Sequence, residues 1–144
     1  MKTESETRYL GDILSVSEGI NLTVSDRHSR GIGIVIQLSS ILKSISLGPF
    51  YFNVALILRD AMLVNSILVN CESWNFITKK QIESFESTDV DFMSNCFSSS
   101  SKTARDAYYI ETGRLKLRYL ITKRRFMFLK NILSQSRDEL IYKI

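Results

Sequence analysis

A few groups of residues in this sequence have types that could do chemistry, and each lacks a partner the chemistry requires. His28 is the single histidine. A general base works only with a nucleophile or an orienting carboxylate within hydrogen-bond reach, and none stands beside His28 in sequence. It reads as a surface histidine at the start of a helix. Cys71 and Cys96 are the two cysteines, too few and too far apart for zinc-ligand spacing or a disulfide framework. Asp89 and Asp91 are an acidic pair two residues apart. On a helix, residues two apart point away from each other, so they cannot share a metal, and the pair reads as part of a solvated face. Gly31-Ile32-Gly33 lacks the longer pattern of a phosphate-binding loop and the Lys-Ser/Thr that follows it. The serines at 98–101 have no histidine near them and read as a loop.

The remaining constellation is basic. Residues 102–130 hold nine Lys or Arg against Asp106 and Glu111, while the whole chain carries +4. The body is therefore slightly acidic and one end is positive, which favours a polyanion at that end. A helix over about 115–135 sets Lys116, Lys123 and Lys130 seven residues apart, so they form one stripe with heads roughly 10 Å apart along the axis. Arg118, Arg124 and Arg125 widen it. Solvated lysines whose stems cover apolar surface are the competing reading. Tyr108, Tyr109 and Tyr119 could stack on bases, or serve as core and boundary residues.

The elements that would position these residues are helical. The chain has 144 residues, of which 44% are hydrophobic and 24% charged, the balance of an ordinary globular domain. A chain of this length buries roughly 70% of its unfolded surface without staples. We expect a mainly α fold, a bundle of about four to five helices behind a short N-terminal extended segment, divided as 1–24 and 25–144. From about Ser25, Ile34, Leu38, Ile41 and Ile45 recur at helical spacing with Val35 and Leu42 beside them. Gly48 stops that helix and Pro49 opens the next. Residues 50–70 are apolar almost all round, as in a central core helix or one buried by a partner. A membrane span is not expected there: Gly48-Pro49 interrupts the uncharged run at 44–58, and Arg59-Asp60 closes it short of the ~20 residues a span needs. A helix over 79–97 groups Ile82, Phe85, Phe92, Met93 and Cys96 on one face and leaves Glu83, Glu86, Asp89 and Asp91 on the other. Thr103 with Asp106 suggests a capping box for a short helix that Gly113 ends. In the last helix Leu117, Leu120, Ile121, Phe128 and Ile132 are expected to face inward. With no secretory leader pattern and a cysteine usage typical of a reducing interior, the cytoplasm or nucleus is the expected location.

Four segments together resemble one family. Arg8-Tyr9-Leu10-Gly11-Asp12-Ile13 is similar to the segment just after the palm of non-LTR (LINE-type) retrotransposon reverse transcriptases, the primer-grip turn. Gly31-Ile32-Gly33-Ile34-Val35 followed by Ile41-Leu42-Lys43 resembles that family's next helix. Leu58-Arg59-Asp60-Ala61-Met62-Leu63-Val64-Asn65, then Glu72-Ser73-Trp74, resembles its L-R-E-S-M-L-x-N…S-E-x-W helix. Tyr109-Ile110-Glu111-Thr112-Gly113, then Leu117-Arg118, Leu120-Ile121 and Arg124-Arg125, resembles its Y-L-E-x-G…P-I-R-x-I-I-x-x-R-R stretch. The pieces run in unbroken order from Arg8 towards the C-terminus. Lys116 stands where the family often has proline, Ser94 and Asn95 where it has arginines, and Ala104 where it commonly has proline.

The resemblance implies the C-terminal thumb and connector region of an RNA-directed DNA polymerase, which holds the template–primer duplex. It implies that Tyr9, Leu10 and Gly11 match the primer-grip turn. Phosphate contacts would fall to Lys116, Lys123, Arg124, Arg125 and Lys130, with Arg118 alongside and Arg27 and Arg30 as weaker candidates. The catalytic aspartates and their magnesium would belong to a palm outside this sequence, which contains no Asp-Asp pair. On this reading the chain needs no cofactor and is no enzyme by itself. Its partners are RNA or an RNA–DNA duplex and the palm and fingers of a parent polymerase. Two other expectations stay open: a structural fragment that packs or self-associates through apolar surface around Phe50, Tyr51 and Phe52, or the non-functional product of a decayed element.

Overall fold

A computed structural model of the chain describes residues 6–9, 12–15, 20–74, 76–98 and 103–134, with only the backbone described at 6–9, 14 and 15. The fold is mainly α, as its apolar periodicity requires. Two short strands, β1 (Glu6–Tyr9) and β2 (Asp12–Ser15), pair antiparallel in a register that sets Tyr9 opposite Asp12. The extended segment expected at the N-terminus is thus a hairpin. Leu10 and Gly11, which connect its strands, lie outside the described residues.

The hairpin is fastened to α1 (Asn21–Ser44). The Ile13 N–H donates to Thr23 Oγ1 at 2.9 Å, and the Thr23 hydroxyl donates back to the Ile13 carbonyl at 3.0 Å. Both main-chain groups of Ile13 are thereby satisfied without a third strand. Helix α1 begins earlier than its Ile/Leu spacing suggested, because Thr23 and Val24 already face the core. Its buried line is Val24, Arg27, Gly31, Val35, Leu38 and Leu42, a run of three- and four-residue steps. Ile34 is half-buried, whereas Ile41 and Ile45, expected to face inward, are exposed. The inward face is set by the close approach at Gly31. A Cβ there would stand 2.9 Å from Ile67 Cδ1, so glycine is what lets α1 lie against the next helix.

After Gly48, whose φ of +52° suits glycine, a 3-10 turn (Gly48–Phe50) with Pro49 near its start leads into α2 (Tyr51–Leu58). A π turn (Arg59–Val64) and the short α3 (Asn65–Ile67) continue the same helix. Arg59 does not close it. The i→i+5 bonding of the π turn makes Leu63 and Val64 straddle the line through Arg59, and all three are buried. By length and composition this continuous helix, Gly48–Ile67, could cross a membrane. Within the fold, Ala55, Arg59, Leu63, Val64 and Ile67 are buried, and the helix lies against α1 and α4. It is not covered all round, however: Phe50, Phe52, Ile57 and Met62 remain exposed.

Helix α4 (Lys79–Phe97) opens with a capping box in which Thr78 Oγ1 accepts from the Gln81 N–H while the Gln81 side chain accepts from the Thr78 N–H. The face expected to be buried is buried: Phe85, Phe92, Met93 and Cys96, with Ile82 partly covered. Its opposite side is not simply solvated, for Glu86 and Asp89 are buried too. Helix α5 (Arg105–Thr112) follows an extended N-cap, Ala104, and has no side-chain cap bond, so the Thr103–Asp106 box does not form. Gly113, at φ +64°, ends it. Helix α6 (Leu117–Ser134) buries only Leu117 and Ile121 fully. Leu120 is partly buried and Ile132 half-buried, while Phe128, expected inside, is half exposed. The core is completed by Trp74, tilted against Phe85 at 5.8 Å. Each fully buried side chain of this size contributes about 1.5–3 kcal/mol.

Candidate nucleic-acid interface

The basic residues of α6 divide by direction. At about 100° per residue, Arg124 falls 20° from Leu117 and Arg125 lies 40° beyond Ile121, so both point along the buried side. Arg124 donates to the Leu68 carbonyl at 2.9 Å and to Asn65 Oδ1 at 2.7 Å. Arg125 donates to the Cys71 carbonyl at 3.2 Å and to the Trp74 carbonyl. These carbonyls follow the C-terminal end of α3, where helix carbonyls lack intrahelical partners and a cation is favourable. Arg118 makes a forked pair with Glu86, Nε at 2.7 Å and Nη2 at 2.5 Å. The hydrogen bonds and charge of Glu86 hold the Arg118 pKa above its ordinary value. Lys116 precedes α6 and bridges to Asp106 at 2.7 Å, above the face of Tyr109.

Two members of the stripe keep their heads in solvent. Lys123 and Lys130 are exposed, and no carboxylate among the described residues pairs with either. On α1, Arg30 forms a surface pair with Asp26 at 2.9 Å, a contact of small net worth. Arg27 is buried, with Nη2 3.4 Å from Asp12 Oδ1, and ties α1 to the hairpin. Tyr9 is described only as the strand residue opposite Asp12.

Between β2, the turn at 70–73 and α6 runs an open groove of about 700 Å³. Leu120, Met127 and Phe128 give it an apolar floor. Lys123, Arg124, Asn70, Ser73 and Asn131 line the rest of it together with two carboxylates, Asp12 and Glu72. The groove joins the base of the hairpin to the solvent-facing lysine of α6, and its size is that of a ligand-sized cleft.

A buried polar cluster lies behind this surface. Arg59 donates to both oxygens of Asp89, to Asp60 Oδ1 at 2.6 Å and to the Leu115 carbonyl at 3.4 Å. The Tyr109 hydroxyl donates to Asp89 Oδ2 at 3.0 Å. Burial opposes the Arg59 charge, but the hydrogen bonds and charge of Asp89, with Asp60, outweigh it and the pKa is raised. Burial, and then Asp89, also push the Tyr109 phenol far up. Asp89, read from sequence as solvated, is therefore the centre of a core network. The signal for it was a lone arginine in an apolar helix, matched by acids at helical spacing on the next.

The other candidates take bland places. His28 is half-buried rather than on the surface, its ring 6.0 Å from that of Phe85. Cys71 and Cys96 are buried free thiols, and burial raises each pKa to about 11. Among the described residues no three His, Cys, Asp or Glu groups gather where they could hold a metal. Compared with models of known protein families, with curated proteins and with solved structures, the chain finds no match.

Proposed function

We propose that the chain is a thumb-like segment of an RNA-directed DNA polymerase of the non-LTR retrotransposon type, which holds a template–primer duplex without reading its sequence. The observation that carries this reading is the antiparallel hairpin fastened onto a helical bundle. Its connection falls at Leu10 and Gly11, the positions that resemble the primer-grip turn. The groove beside it opens towards Lys123.

The phosphate-contacting set is narrower than the basic stripe. Lys123 and Lys130 are available as they stand, and Arg30 and Lys116 can leave surface ion pairs of small net worth. Arg118, Arg124 and Arg125 position the helix, since removing them from Glu86 or from carbonyls would leave those groups unpaired. Arg27 supports the hairpin in the same way. Binding is electrostatic and releases counterions, so the logarithm of affinity falls linearly with the logarithm of salt, by about 0.9 per phosphate neutralised. The test is a salt titration of an RNA–DNA duplex. Lys123→Glu with Lys130→Glu should flatten that slope by about 2, and binding that ignores salt would exclude the reading.

A second reading is favoured by one observation. Phe50, Phe52, Ile57 and Met62 are all large apolar side chains left exposed on one helix, and such surface favours a partner. The chain would then pack against the rest of a longer protein or against itself, and light scattering of the isolated chain checks it.

A further inference from the structure

The solvent side of α6 carries a second pattern that duplex binding leaves unused. Tyr119, Thr122, Phe126, Leu129 and Leu133 follow steps of three and four residues, the a and d positions of a heptad. On the helical wheel they centre about 160° from Leu117, almost opposite the Leu117–Ile121 face that enters the core. All five are exposed, with Tyr119 56%, Phe126 71%, Leu129 50% and Leu133 75% accessible. A heptad seam turned away from its own core has the geometry for a neighbouring helix to lie along it.

The charges beside the seam say which helix. Lys123 and Lys130 occupy the same flanking position in successive heptads. Arg118 and Arg125 occupy the other flank, where they bind Glu86 and main-chain carbonyls. A second copy laid antiparallel would set lysine against lysine. Laid parallel, it would set the arginines of one copy against the lysines of the other. Like charges at these positions oppose pairing, and flanking charges decide coiled-coil partners. We propose that the outer face of α6 docks an amphipathic helix of another protein, with apolar residues at heptad spacing and carboxylates flanking them.

This surface is separate from the groove, whose floor residues Leu120, Met127 and Phe128 lie off the seam. Lys123 and Lys130 serve both functions, but the apolar seam serves docking alone, so substitutions in the seam separate the two. The test titrates the full chain with a labelled synthetic peptide bearing leucine at a and d and glutamate at e and g. Its twin bears lysine at e and g. Each peptide repels itself, so helicity that appears only on mixing reports docking. The acidic peptide should bind saturably and turn helical, while its twin should not. Phe126→Ser with Leu133→Ser, both at exposed positions and neither adding charge beside the lysines, should weaken docking by roughly 30-fold or more and leave duplex binding unchanged. Lys123→Glu with Lys130→Glu should transfer the preference to the lysine twin. Equal binding of both peptides, or binding of neither, would overturn the proposal. So would self-association of the chain that Phe126→Ser abolishes, or a loss of duplex affinity, in place of peptide affinity, in the Phe126→Ser, Leu133→Ser variant.

Discussion

Arg59 donates two parallel hydrogen bonds to Asp89, from Nε to Oδ1 at 2.7 Å and from Nη2 to Oδ2 at 2.6 Å, with both side chains sealed in the core. The pair joins the π turn to α4, and Tyr109 brings α5 onto the same carboxylate. Three elements thus share one charge centre. Removing one partner leaves the other buried with only Asp60, for Arg59, or the Tyr109 hydroxyl, for Asp89, to compensate it, which costs up to about 3–5 kcal/mol. Arg59→Ala or Asp89→Asn should therefore lower urea-unfolding stability by about that much. Arg59→Met combined with Asp89→Leu should lose clearly less than the sum of the single variants, because no charge is stranded.

Gly31 tests the helix crossing. Alanine would gain about 1 kcal/mol of helix propensity, but its Cβ would meet Ile67 Cγ1 at 3.0 Å and Thr88 Cγ2 at 3.6 Å. Overpacking of this kind costs about 1–3 kcal/mol, so Gly31→Ala should be net destabilising in thermal melts. Ile67→Val removes the nearest atom, Cδ1. In that background the same alanine should cost less than in the wild type, the Cγ1 contact at 3.0 Å being all that remains of the close approach at residue 67.

The thiols set an alkaline limit. Cys71 and Cys96 ordinarily titrate near 9.0, and burial raises each to about 11 in the fold. The folded state therefore holds protons that the unfolded state releases. Their contribution is complete below pH 9 and is lost as pH rises from about 9 to about 11. Stability measured by urea unfolding should fall across that window, and less steeply in Cys71→Ala or Cys96→Ala. In the native chain both thiols should react slowly with an alkylating reagent at pH 8, and quickly once it is unfolded.

Arg125 separates scaffold from interface. Arg125→Met strands the Cys71 and Trp74 carbonyls and should cost about 1–3 kcal/mol of stability, read from the urea midpoint. The salt slope of duplex binding should stay at its wild-type value, since that guanidinium is turned inward.

Much of the fold was legible in the sequence because apolar spacing is a direct record of burial. Helix α4 appears where Phe85, Phe92, Met93 and Cys96 place it, and Gly113 ends α5 as its backbone freedom suggests. The faces of α1 and α6 were harder to read. Ile41 and Ile45 have the right spacing, yet the close approach at Gly31 turns another line inward, and a glycine contact leaves no hydrophobic signal. The stripe of α6 looked uniform because lysine and arginine count alike as charge. Their directions differ by helical phase, and the partners of Arg118, Arg124 and Arg125 come from residues 32 to 59 positions away. Glu86 and Asp89 misled for the same reason: an acid on a helix is solvated by default until an arginine from another element reaches it.

Lys123 and Lys130 are proposed to face a duplex, whereas the arginines beside them are held by the protein. The most direct measurement is the salt dependence of RNA–DNA duplex affinity for the full chain, set against Lys123→Glu with Lys130→Glu and against Arg125→Met. The expected result is a steep wild-type slope, one flattened by about 2 in the lysine variant, and an unchanged slope in the arginine variant. A wild-type affinity independent of salt, or a slope that the lysine substitutions leave untouched, would contradict it.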